Sequence, residues 1–210
     1  ARALAALVVL GHAALALFVL LASAVLSRAN PPFTALMAYR RLTAGQAIET
    51  RRPVPLSRMP RALPEMVVRL EDFHFYRHRG IDLGAIRDAY LVNRSLGYTL
   101  YGGSTIPQQL ARNLFLTPRK TYFRKYLEAL IAVEMDLLLS KRRILELYLN
   151  NIEWGKGVFG IGAASHHYYG TAPARLTVDQ QRRMVAILTN PLRYSVTTFS
   201  KSRQMAARYR

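Results

Sequence analysis

An acidic and aromatic cluster between Glu71 and Asp82 carries the residue types that proton transfer requires. If this segment is helical, Glu71, Phe75 and His78 share one face, because side chains at positions i, i+4 and i+7 lie above one another. A carboxylate beside an aromatic ring is partly desolvated, which suits a general base. Asp72 points away from that face and is placed to orient neighbouring backbone or an arginine. The alternative interpretation is a helix N-terminus whose acids complement the helix dipole.

The histidines His74 and His78, spaced i and i+4, raise the question of a metal centre. A zinc protease would carry a glutamate directly after the first histidine, and Phe75 occupies that position. The chain has no cysteine, which excludes disulfides and thiolate metal sites. These residues therefore disfavour a metalloprotease.

A second polar cluster, Gly102–Asn113, has two glycines leading into a predicted helix. Thr105 and Gln108 have the spacing of a capping box, which predicts that the helix starts there. Thr105, Gln109 and Arg112 then lie along one polar face of that helix. Glycines before a helix N-terminus, with an arginine on the same face, form a natural site for a phosphate or diphosphate. Glycine turns before helices are common, so this signal is weak by itself.

The third cluster pairs Arg124 and Lys125 with Glu128 on a predicted helix. As i, i+4 neighbours, Arg124 and Glu128 could form a surface ion pair worth a few tenths of a kcal/mol. The same helix is strongly apolar between residues 121 and 139, however, and an unpartnered carboxylate there would be costly.

Helical periodicity dominates the chain beyond Glu65. A helix over 121–139 is followed by Ser140, a plausible N-cap for a helix carrying Ile144, Leu147 and Tyr148 at i, i+3 and i+4. The pattern recurs over 177–188, and Asn190-Pro191 ends it. We find no sustained two-residue alternation, so the predicted fold class is mainly α.

The N-terminal segment from Ala3 to Leu26 contains no charged residue. As a helix it would span roughly 36 Å, enough to cross a bilayer core. A cleaved signal peptide is the alternative. The apolar run is longer than the apolar core of such a peptide, which is usually about 7–15 residues, so we favour a retained anchor.

The chain is strongly basic, with 30 Lys and Arg against 12 Asp and Glu and a formal net charge of +18. Such an excess predicts an anionic partner, whether nucleic acid, an anionic bilayer or a phosphorylated substrate. Many of the arginines fall between Met37 and Leu70, where they suit lipid head groups, although a solvated face is an equal alternative. The sequence thus predicts an anchor at 1–28, a basic juxtamembrane connection at 29–64, and a catalytic domain at 65–210.

Five motifs in order resemble the glycosyltransferase family shared by monofunctional peptidoglycan transglycosylases and the N-terminal domains of class A penicillin-binding proteins. The motifs, which fall within about residues 60–195, are Glu71–Gly80, Gly102–Asn113, Arg124–Glu128, Ser140–Asn150 and Gly155–Ile161. Two positions depart from the family pattern: Pro107 replaces a usual Thr or Ser, and Gly162 replaces an acidic residue or Gln. The departures put rate and acceptor handling in doubt, and leave the reaction type unaffected.

The resemblance implies a lysozyme-like α-helical domain with a smaller membrane-facing lobe, for which residues 83–101 are our candidate; an ordinary packed helix and loop is the alternative. It implies polymerisation of lipid II into glycan strands with inversion at C1. The implied catalytic residues are Glu71, as base, and Glu128, which positions a cation at the diphosphate or assists its departure. The implied substrate-binding residues are Asp72, Phe75, His78, Thr105, Gln109, Arg112, Asn113, Arg124 and Lys125.

The resemblance also implies a divalent cation, Mg²⁺ or Mn²⁺, for which the sequence shows no ligand set. Expected partners are lipid II, the growing glycan, anionic membrane lipids and other cell-wall synthesis proteins, but not nucleic acid. The expected location is the bacterial inner membrane, crossed once, with the catalytic domain on the periplasmic side. No transpeptidase domain follows, as in the monofunctional branch, although a shortened bifunctional protein would look the same. A lytic glycan-cleaving enzyme and a non-catalytic membrane protein that binds nucleic acid or anionic lipid are the rival functions.

Overall fold

The computed structural model describes residues 1–98 and 102–209 of the chain. Within these ranges the protein is mainly helical, which confirms the predicted class. The first five α-helices are α1 (Arg2–Leu26), α2 (Ala35–Ala44), α3 (Ala62–Glu71), α4 (Leu83–Leu96) and α5 (Ile106–Phe115). The others are α6 (Tyr122–Leu138), α7 (Lys141–Asn151), α8 (Ile161–Tyr169), α9 (Val178–Ile187) and α10 (Arg203–Tyr209). Two short antiparallel strands, β1 (Glu153–Gly155) and β2 (Val158–Phe159), form a hairpin between α7 and α8.

Short polar residues begin most of these helices, as their sequence positions predict. Each of them accepts a hydrogen bond from a backbone N–H of the first turn, which would otherwise have no partner. These capping residues are Thr34, Asp82, Thr105, Thr121, Ser140 and Thr177. Glycines with positive φ end α2, α4 and α8, at a position where the absence of a Cβ atom avoids strain.

Helix α5 lies at the centre of the domain and packs against both α6 and α7. Its apolar face contributes Ile106 and Leu110, which are fully buried against residues such as Ile131, Met135 and Ile144. On another side, α3 packs against α9, and α9 against α10. This arrangement brings the end of α3, the polar face of α5 and the C-terminal helix to one region of the molecule.

Helix α1 is long and apolar enough to cross a membrane, a test that a signal sequence near the N-terminus would also pass. The helix also packs against the domain, along α6. Val19 and Leu26 are buried there, Phe18 meets Phe115 with ring centroids 5.4 Å apart, and His12 Nε2 lies 2.6 Å from the Tyr126 hydroxyl. One stripe of α1 thus contacts the catalytic domain, while its other faces stay exposed.

The segment from Gln46 to Arg58 follows α2 and runs across α7 and the hairpin. Arg51 donates to the Asn150 carbonyl (2.8 Å) and to Asn151 Oδ1 (2.7 Å), and Arg40 of α2 pairs with Glu153 (2.8 Å). These two arginines, predicted to attract lipid, are therefore occupied by contacts within the protein. For the exposed arginines of the predicted basic connection, such as Arg41 and Arg58, attraction to lipid stays a prediction. The predicted boundaries at 28 and 64 stay a prediction.

Helix α4 is the described part of the predicted membrane-facing lobe. Several of its apolar side chains are exposed, among them Leu83, Ile86, Tyr90, Leu91 and Leu96. Such a surface is unusual for a soluble helix and is compatible with the prediction. Residues 99–101, which complete the predicted lobe, lie outside the described residues.

Candidate active site

Glu71 is the last residue of α3 and lines a cavity of about 710 Å³, which we call the glutamate cavity. Its side chain is only 8 % exposed, and both carboxylate oxygens have partners. Gln109 Nε2 donates to Oε2 at 3.0 Å, and the Arg208 guanidinium donates to Oε1. Two donors from α5 and α10 therefore fix the carboxylate.

The predicted shared helical face of Glu71, Phe75 and His78 is wrong, because α3 ends at Glu71 and the chain continues in turns. Phe75 instead enters the core, fully buried, with Lys141 Nζ 4.7 Å from its ring centre. His78 Nε2 lies 2.9 Å from an Asp72 carboxylate oxygen, away from the cavity. A helical spacing rule cannot apply once the helix has ended.

The N-terminus of α5 was predicted to bind a phosphate, but its backbone donors are already satisfied. Asp72 Oδ2 accepts the Ile106 N–H at 2.8 Å, and Thr105 Oγ1 accepts the Gln108 N–H at 3.3 Å. Gln108 Oε1 in turn accepts the Thr105 N–H, completing the predicted capping box. The Asp72 carboxylate thus occupies the place at this helix N-terminus that a bound anion would take. This contact agrees with the predicted role of Asp72 in orienting neighbouring backbone. The structure gives Thr105 a capping role, and the N–H groups of Thr105, Ile106 and Gln108 are already paired.

A second cavity of about 290 Å³, the basic cavity, lies along α5. Four cations line it: Arg40 from α2, Arg112 from α5, Lys120 from the following loop and Arg124 from α6. The predicted site residue Asn113, itself buried, also contributes to its lining. Since Glu153 in the lining is neutralised by Arg40, the cavity carries net positive charge and suits a diphosphate better than the α5 terminus.

Glu128 is fully buried and connects two of the predicted cations. Its carboxylate pairs with Arg124 through one oxygen and with Lys125 through the other. Lys125 Nζ also donates to Ser104 Oγ at 2.8 Å, at the edge of the glutamate cavity. The ion pair is therefore internal, and the surface alternative is wrong. Because both Glu128 oxygens are engaged, the geometry favours the role of positioning cations over that of assisting the leaving group.

Gln109 links the two cavities through a single side chain. Its Nε2 donates to Glu71, while its Oε1 accepts from the Tyr148 hydroxyl at 2.9 Å, and both Gln109 and Tyr148 line the basic cavity. Gln109, predicted for the phosphate cradle, thus lines the basic cavity and also contacts the Glu71 carboxylate. Sequence reasoning missed Lys120 and Arg208 as site residues. Lys120 carried a usable signal, since it is a cation between two motifs, but Arg208 lies 137 positions from Glu71.

The carboxylates of this region do not form a site for the divalent cation that the resemblance implies. Glu71 pairs with Arg208, and Glu128 pairs with Arg124 and Lys125, so cations that would repel a metal ion already lie beside both carboxylates. In residues 1–98 and 102–209, no three His, Asp or Glu side chains are grouped to hold a metal. The cation therefore stays a prediction from resemblance alone.

The mainly helical fold, with Glu71 in one cavity and a group of cations in a second, agrees with the glycosyltransferase class that the sequence motifs resemble. Residues 39–210 match the family model described as Transglycosylase, and the chain belongs to this family. The match confirms the predicted lysozyme-like fold.

Relatives with similar sequences carry one common name. The biosynthetic peptidoglycan transglycosylase of Dechloromonas aromatica (strain RCB) is 44 % identical over 169 residues, which cover 79 % of this chain and 73 % of the relative. The protein of that name from Caulobacter vibrioides is 42 % identical over 166 residues, covering 79 % and 71 %. That of Stutzerimonas stutzeri (strain A1501) is 43 % identical over 169 residues, covering 79 % and 69 %.

Proposed function

We propose that this protein is a peptidoglycan glycosyltransferase that polymerises lipid II into glycan strands. The observation that carries the proposal is the placement of Glu71 in one cavity and of Arg112, Lys120 and Arg124 in the next, joined through Gln109. A base and a diphosphate site on opposite sides of a reacting carbon are what an inverting transfer needs. The family and the shared name of the relatives support the same reaction.

In the proposed mechanism, the 4-hydroxyl of the incoming disaccharide enters the glutamate cavity. Its oxygen forms a bond to C1 of the donor sugar while the bond from C1 to the diphosphate breaks. The hydroxyl proton passes to a Glu71 oxygen, and the diphosphate leaves with the bonding electron pair. Arg112, Lys120 and Arg124 stabilise the negative charge that develops on the leaving group. This displacement inverts C1 and forms no covalent enzyme intermediate.

The proposal places the enzyme in the bacterial inner membrane, with α1 as a single-pass anchor and the domain on the periplasmic side. The length and apolar composition of α1 support an anchor. Lipid II is itself embedded in the membrane, so an anchored enzyme meets its substrate by a two-dimensional search. Anionic lipids and other cell-wall synthesis proteins complete the proposed set of partners.

A lytic enzyme is the nearest rival, since it shares a helical fold and a catalytic glutamate. Hydrolysis of finished glycan requires no cationic cavity, and the presence of the basic cavity therefore favours transfer. The test is to incubate the detergent-solubilised protein with labelled lipid II and, separately, with purified sacculi. We expect polymer from lipid II, no product from Glu71→Gln, and no soluble fragments from sacculi. Release of fragments without polymer would establish the lytic function instead.

A further inference from the structure

The side chain of Arg208 is buried where an unpaired charge would be energetically unfavourable. It is 1 % exposed, and its Nε is buried without a hydrogen-bond partner. The remaining guanidinium donors reach the Leu70 carbonyl (3.3 Å) and Glu71 Oε1. A buried ion pair contributes little net stability, because both charges lose their hydration. Retaining this pair at the glutamate cavity therefore points to a role in the site.

Tyr148 acts on Glu71 from the opposite side, through Gln109. Burial, and then the charge of Glu71, raise the pKa of Tyr148 well above its usual value, so the phenol stays protonated and donates. Its hydrogen bond to Gln109 Oε1 assigns the orientation of the amide. The Gln109 NH₂ group must then face the carboxylate, where it donates to Oε2.

We propose that Arg208 and Tyr148 are positioning residues that hold the Glu71 carboxylate aimed into the glutamate cavity. Arg208 fixes one carboxylate oxygen directly, and Tyr148 fixes the Gln109 amide that holds the other. They leave room for the acceptor hydroxyl, since a carboxylate offers about four lone-pair sites. The proposal rests on the proposed function, in which Glu71 is the base.

Other charged groups also lie near Glu71, besides the clamp formed by Arg208 and the Gln109–Tyr148 pair. Asp72 follows it in the chain, and the lining of the glutamate cavity adds Arg69, His74, Asp88 and Arg182. Arg208 differs from these cavity-lining groups because it pairs directly with the Glu71 carboxylate. Removing it should therefore disturb the position of the Glu71 carboxylate more than removing an arginine elsewhere on α10.

The test compares Arg208→Gln, Arg208→Lys and Tyr148→Phe in the full chain, with labelled lipid II as substrate. We expect Arg208→Gln to lower kcat/KM about tenfold to a hundredfold, the scale of a misplaced catalytic group. Arg208→Lys should recover part of this loss because it keeps a positive charge beside Glu71, and Tyr148→Phe should lower kcat more than it raises KM. Arg203→Gln, an exposed position on α10, is the matched control and should behave as the parent.

The possible outcomes distinguish failure of this proposal from failure of the proposed function on which it rests. Parental kcat/KM in Arg208→Gln would overturn the role of Arg208, whereas full activity of Glu71→Gln would overturn the proposed function itself. If Arg208→Gln is too unstable to assay, melting of the Glu71→Gln, Arg208→Gln and double variants decides the matter. Coupled losses support the clamp, and strictly additive losses contradict it.

Discussion

Replacing Glu128 by glutamine should damage both the fold and the basic cavity. Glu128 is fully buried between Arg124, which is 14 % exposed, and Lys125, which is 43 % exposed. Breaking a buried ion pair costs about 3–5 kcal/mol, and water can screen the half-exposed Lys125, so we expect a loss of about 2–3 kcal/mol. In a chain of this size that lowers Tm by roughly 4–12 °C.

The same substitution should slow polymerisation, because Arg124 would no longer be held in the lining of the basic cavity. We expect kcat/KM to fall about a hundredfold, the scale of one lost electrostatic contact to the transition state. Calorimetry and a lipid II polymerisation assay measure the two effects. Glu134→Gln, on the same helix, is the control, since burial raises the pKa of Glu134 and a neutral side chain there is better tolerated. Parental melting and turnover in Glu128→Gln would refute the argument that this carboxylate organises the cations.

Two further predictions follow from the basic cavity and from α1. Lys120→Met should raise KM for lipid II about tenfold to a hundredfold, which corresponds to the loss of a hydrogen bond to a charged group. Lys156→Met, at an exposed position, is the control and should leave KM unchanged. Kinetics with a soluble diphosphate inhibitor check whether the loss of diphosphate binding causes the change in KM. Removal of residues 1–28 should reduce activity on vesicle-embedded lipid II far more than activity in detergent micelles, and equal losses in both would show that α1 acts through its packing on α6.

Local rules correctly predicted the starts of α5 and α7, although they wrongly extended a helix beyond Glu71. The pair Thr105 and Gln108 marks the start of α5, and Ser140 marks the start of α7. Such caps can be predicted from sequence because they depend only on residues within one turn. The pairing of Arg124 with Glu128 was also foreseeable, since it lies on one helical face. The motifs that resemble the family pointed to Glu71 and Glu128, although periodicity by itself could not have separated catalytic from structural acids.

The partners of Glu71 could not be predicted from spacing. Arg208 reaches it from the end of the chain, and Asp72 closes the terminus of α5 from 34 positions away. Both contacts depend on how α3, α5 and α10 pack, which is a tertiary property. The expectation that Glu71, Phe75 and His78 share a helical face was wrong because α3 ends at Glu71, seven residues before His78.

The most direct test of the central claim measures glycan polymer formed from labelled lipid II by the full chain and by Glu71→Gln at matched protein concentration. The parent should produce polymer, and the variant should lose activity by a factor on the order of 10²–10⁴ while melting as a folded protein. Polymerisation at the parental rate by a folded Glu71→Gln variant would contradict the assignment of Glu71 as the base, and with it the account of the site given above.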